Sequence, residues 1–178
     1  MKWAWDDAAD PRVAELWHLR AALAESKRVV YSKWLGGRAT LFSQSLFRAM
    51  LAALRARGPL VPGLGRSSRT LLEILMDDSP QGTSSLRANA GMEGRLNEAE
   101  FTAAMRALWA RLLVVGVGER EEGGYPSLAV GATELLFERL WNEAETLRRE
   151  DAAILERTLA SKPAFSRAWR RVYESIAP

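Results

Sequence analysis

The chain has no cysteine and only one histidine, His18. Without thiols there can be neither a disulfide framework nor a thiolate metal site, and one imidazole cannot supply the ligand cluster that zinc requires. No metal and no cofactor is expected. Long apolar runs are also missing: no stretch approaches the roughly 18 residues of a membrane span. The opening residues, with Trp3, Trp5 and three aspartates, lack the apolar core of a signal peptide. The expectation is a cytoplasmic protein with no membrane partner. Glutamine is limited to Gln44 and Gln81. No glycine pattern makes a phosphate-cradling loop, because no lysine follows Gly63 and Gly65 where such a loop needs one.

What is present fits an ordinary globular chain. At 178 residues, 48% hydrophobic and 26% charged, it can bury a core of normal size as one unit. A net charge of +3 is too small to imply a polyanion partner by itself, so distribution matters more. Between residues 26 and 72 stand nine basic residues (Lys27, Arg28, Lys33, Arg38, Arg48, Arg55, Arg57, Arg66, Arg69) and no acid. Residues 73–100 hold six acids against Arg87 and Arg95. The contrast suggests one electropositive region, although Arg-rich solvated helix faces would give the same count.

Apolar periodicity predicts a first helix from Pro11 through Leu23, then a short apolar and aromatic stretch, residues 29–35, that stops at Gly36-Gly37. Ser43 can cap a helix to about Arg57, where Gly58-Pro59 ends it. Ser67 or Ser68 can cap the next, through Asp78, and Thr83 or Ser84 a short one closed by Gly91 in the left-handed conformation. Asn97 and Glu100 have the spacing of a capping box, and the helix behind them places Phe101, Met105, Leu108 and Leu112 on one face. Residues 113–117 and 125–130 then read as two strands joined by a charged, glycine-bounded loop. Helix, short helix, longer helix and hairpin is the element order of a winged helix. From Thr133 one helix should run to about Arg149, with two more behind it.

A resemblance adds to this pattern. It is carried by Tyr31-Ser32-Lys33, by Gly36-Gly37-Arg38 with Thr40, and by Thr83-Ser84-Ser85-Leu86-Arg87. Phe101, Leu108, Trp109 and Leu112-Leu113-Val114-Val115-Gly116, with the hairpin to Leu128, complete it. Over roughly residues 26–141 the chain resembles winged-helix proteins related to the bacterial alkylpurine DNA glycosylases of the AlkZ/YcaQ kind. The resemblance implies that fold and a nucleic-acid context. Those glycosylases share a glutamine-containing catalytic motif and several winged-helix units. Here Gln44 and Gln81 stand far apart without the motif, and there is room for one unit, so no catalytic residue carries over.

The expected architecture is therefore mainly α with a small β-hairpin. Residues 66–132 form a winged helix-turn-helix core, 1–65 a basic helical segment packed on it, and 133–178 the C-terminal helices. The expected function is non-enzymatic DNA binding with little sequence preference. Lys27, Arg28, Lys33, Arg38, Arg66 and Arg69 would meet phosphates, with Arg106 as the one charged side chain on the exposed face of the third helix. Tyr31 and Trp34 are either stacking platforms for bases or ordinary core residues, the latter being the commoner role. A loop containing Glu119, Glu121 and Glu122 would repel a phosphate backbone. His18 reads as a structural histidine, and Trp3 and Trp5 as covers for a groove or a partner. The rival readings are a protein-interaction module, for instance a homodimer, and glycosylase-like chemistry.

Overall fold

The computed structural model describes residues 19, 22–24, 26–122 and 125–176. The helix expected from Pro11, together with His18, Trp3, Trp5 and Trp17, lies wholly or mostly outside them. In the described residues a five-stranded antiparallel sheet replaces the small hairpin, so the fold is mixed α and β and not mainly α. Three of its strands gave no usable signal: β1 (Val29–Ser32) and β2 (Thr40–Ser43) have four residues each, and β3 (Gln81–Gly82) has two. Such lengths hold too few alternations to be told from loop. β1 is also buried along most of its length, which erases the alternating pattern.

The long pair is β4 (Val114–Glu122) and β5 (Tyr125–Ala132), and the sheet order is β2-β1-β4-β5-β3. β1 touches β4 through Tyr31 opposite Gly116. That glycine is there for space, since a Cβ on Gly116 would lie 2.2 Å from Tyr31 Cδ1. Because Tyr31 is itself buried, Gly116→Ala should force the ring or strand to shift. The expected loss is about 1–3 kcal/mol of stability, read as a lower urea midpoint; an unchanged midpoint would show that the ring can move freely.

The helices are α1 (Gln44–Arg57), α2 (Arg66–Asp77), α3 (Thr83–Asn89), α4 (Glu98–Ala110), α5 (Thr133–Leu136), α6 (Glu138–Glu143), α7 (Arg149–Ser161) and α8 (Pro163–Ser175). Ser43 caps α1 by accepting from Leu46 N at 3.3 Å. Gly91 closes α3 in the left-handed conformation as expected, at φ +64°, but the other expected N-caps do not form. α2 and α3 follow Gly65 and Gly82, Ser67 bonds to Glu100, and Ser68 Oγ donates to Ala104 O. Asn97 Nδ2 turns back to Glu93 O, so the capping box is not made. Ser67, Ser68 and Thr83 bond partners distant in the chain instead, whereas Asn97 bonds a carbonyl four residues back. The single helix expected from Thr133 is interrupted at Phe137, which leaves helical geometry (φ −130°) as it joins the core.

α1 is the centre of the core: Phe47, Met50, Leu51 and Leu54 are fully buried. It packs on α7, and one ion pair ties the two helices, with Arg48 Nη2 2.6 Å from Asp151 Oδ1. Asp151 is completely buried, and its Oδ2 accepts from Arg148 N, closing the first turn of α7. Trp34 joins the β1–β2 turn to α8, its ring centroid 5.0 Å from that of Phe165 and 6.4 Å from that of Trp169. The same indole donates Nε1–H to Ala110 O at 3.1 Å. The turn that carries Lys33 is thereby fixed to the end of α4.

Candidate nucleic-acid interface

α4 buries Phe101, Ala104, Met105, Leu108 and Trp109. The 3.6-residue period then leaves Ala99, Thr102, Ala103 and Arg106 exposed on the opposite face. Beside that face lies a recess of about 390 Å³, lined by residues of α3, α4 and β5 and by Lys33 and Gly37 of the β1–β2 turn. Gly36 and Gly37 both take positive φ, +62° and +77°, and allow the turn to double back so that Gly37 N bonds Lys33 O at 3.1 Å. A second, shallower recess shares Glu98, Thr102 and Arg106 and runs on past Ala99 to Arg95. Together they make a continuous surface along α4.

The charges on this surface differ in availability. Arg87 is bound through both terminal nitrogens to Glu98, with Nη2 2.9 Å from Oε1, and its guanidinium lies 4.4 Å from the centre of the Phe101 ring. These hydrogen bonds hold the Glu98 carboxyl below the ordinary glutamate range; slight desolvation opposes them, and the Arg87 charge adds to the lowering. Since the folded value is depressed, the pair is intact above the ordinary carboxylate range and lost as pH falls through the lowered value. A carboxyl NMR titration should find Glu98 titrating below the exposed glutamates, and an ordinary midpoint would show the pair to be open in solution. Arg95 and Arg106 have no acidic partner among the described residues. Lys33 is half-buried at the recess.

The nine basic residues do not form one patch. Arg48 is sealed against Asp151. Arg55 lies over Trp141 and donates to its carbonyl, and Arg57 lies over Tyr173. Lys27 and Arg28 are exposed at the start of β1, whereas Lys33 follows its end. At about 3.3 Å per residue the strand separates them by roughly 15–20 Å. Arg38 is exposed in the same turn as Lys33, and Arg66 and Arg69 are exposed on the first turn of α2. Tyr31 and Trp34 are core residues with no ring face open to solvent, which removes the stacking platform. Of the expected contacts, only Lys33 and Arg106 line one recess. Arg87 and Arg95, which the sequence placed in an acidic stretch, belong to the same surface.

A further recess of about 360 Å³, between the end of α1, α2 and α5, is mostly apolar. Its one cation, Arg55, is the residue held by Trp141, so it offers nothing to a phosphate. No group of three or more metal-ligating side chains occurs among the described residues. None of the described helices is long and apolar enough to cross a membrane.

A family model described as AlkZ related matches residues 1–169. The chain belongs to the AlkZ-related family. Membership points to a DNA-related function, and the match extends well beyond the residues 26–141 that carried the resemblance. Neither curated proteins nor solved structures give a match.

Proposed function

We propose that the chain binds duplex DNA without chemistry and with little sequence preference, through the exposed face of α4 and the cations around it. The observation that carries this reading is the placement of Arg106 on the exposed face of α4, with Arg95 just before the helix and Lys33 in the adjoining turn, in a chain of a DNA-related family. α2, β3, α3, α4 and the β4–β5 ribbon also follow one another in the order of a winged helix, where the third helix enters the major groove. On that helix Ala99, Thr102 and Ala103 are short enough for close approach to the duplex. They offer little bidentate base readout, so affinity should come from phosphates and not from sequence.

Both glutamines support the non-enzymatic reading. Gln44 donates Nε2 to Lys27 O and accepts from Arg139. Gln81 is buried, donates to Asp78 O and accepts from Asn89. Both amides thus take part in holding the fold together, the part a structural glutamine plays.

Fluorescence anisotropy with labelled duplex over a salt series tests the proposal. Three phosphate contacts predict a log–log slope near −3, at about −0.9 per contact. Two duplexes of unrelated sequence should bind alike. Lack of binding at low salt, or binding indifferent to salt, would reject the proposal. Within it, Glu98→Gln removes a negative charge from the surface and releases Arg87, so affinity should rise by roughly threefold at low salt, the scale of one nearby charge in water. Weaker binding by that variant would mean that the Arg87–Glu98 pair itself shapes the contact.

A further inference from the structure

The recess beside α4 combines two surfaces that phosphate binding alone does not need. Phe101, Met105 and Trp109 line it yet are at least nine-tenths buried, so they form its floor, and Leu128 of β5 adds an apolar wall. Its mouth carries Lys33 and Arg106. Glu98, the one acid among the lining residues, is committed to Arg87 and does not cancel Arg106. A volume of about 390 Å³ lies within the range of small-molecule sites.

An apolar floor of aromatic and thioether groups favours a flat ring, and a guanidinium at the mouth favours an anionic substituent on it. We propose that this recess is a binding site for a small planar aromatic anion, a ring bearing one carboxylate or phosphate, and that its occupation competes with DNA. The competition follows because Arg106 would serve both ligands. That second half rests on the DNA-binding reading; the small-molecule site does not.

Isothermal titration calorimetry on the full chain, without DNA, tests the site. The probes are indole-3-acetate, adenosine 5′-monophosphate and inorganic phosphate. Binding of either aromatic probe, with phosphate at least about tenfold weaker, is expected. The tighter aromatic probe identifies the source as a carboxylate metabolite or a nucleotide. Arg106→Glu should weaken the aromatic probe about tenfold or more by removing the charge-assisted contact. Thr102→Phe, at an exposed helix position on the rim, should block the probe without changing any charge of the site. The site is overturned if neither aromatic probe binds at millimolar concentration, if phosphate binds as well as both, or if Thr102→Phe leaves probe binding unchanged. Adding the tighter probe to a preformed DNA complex should release the DNA, and retention at saturating probe would overturn the competition. Probe binding by a chain that ignores DNA would sink the DNA reading and leave the site standing. DNA binding without probe binding would do the reverse.

Discussion

Replacing Arg95 and Arg106 together by glutamate should lower duplex affinity by on the order of a hundredfold or more at low salt. Each guanidinium is exposed and without an acidic partner among the described residues, so each is available for a charge-assisted hydrogen bond of about 1.5–3 kcal/mol. Reversal adds repulsion to that loss. The salt slope should shrink by about 2 at the same time, one step of roughly 0.9 for each phosphate contact removed. Both positions are on the surface, so the unfolding midpoint should stay near that of the parent. As a matched control, Lys27→Glu with Arg28→Glu makes the same change in net charge at the far end of β1. If the control weakens binding as much, affinity follows total charge and the α4 face has no special role.

Asp151→Ala should produce the largest loss of stability among these variants. It leaves the Arg48 guanidinium, 11% exposed, without the carboxylate 2.6 Å away. An orphaned buried charge costs about 3–5 kcal/mol. Glu143, 4.0 Å from Arg48 Nε, is a partial substitute and favours the lower end of that range. For a chain of this length each kcal/mol moves the melting temperature by about 2–4 °C, so a drop of roughly 10 °C is expected. Arg48→Met combined with Asp151→Leu should recover most of it, because an apolar pair of similar volume removes the stranded charge. The double variant should still fall short by about 1 kcal/mol, since the bond from Arg148 N that closes the first turn of α7 is also gone. A single Asp151→Ala variant that melts with the parent would show the pair to be solvated.

The helices were largely legible in the sequence because each carries its own periodic stripe. α1 (Gln44–Arg57) lies between Ser43 and Gly58 as the apolar spacing and the Gly-Pro stop indicate. α4 buries the expected Phe101, Met105 and Leu108. The ribbon behind it was legible for the same reason, its branched apolar run following the helix directly. The rest of the sheet was not, because β1, β2 and β3 are too short to show an alternating pattern and β1 is buried along most of its length. Caps failed where a tertiary partner competed, as when Ser67 found Glu100.

The site was legible in part. Lys33 and Arg106 were named, but charge counted along the chain misplaced their neighbours. Arg87 and Arg95 fell in an acidic window and yet share the surface. Arg48, Arg55 and Arg57 swelled the basic window while their guanidinium groups serve the fold. A linear count cannot separate these cases, since α1 turns successive arginines toward different neighbours. One signal was available: on α4 the buried stripe fixes the opposite face, and that face includes Arg106.

Backbone amide exchange followed by mass spectrometry, with and without saturating duplex at low salt, locates the bound surface without any substitution. Slower exchange should concentrate in residues 33–38 and 95–106, with α7 and α8 unchanged. Protection confined to α7, α8 or the Lys27–Arg28 end of β1 would place the duplex elsewhere and contradict the account.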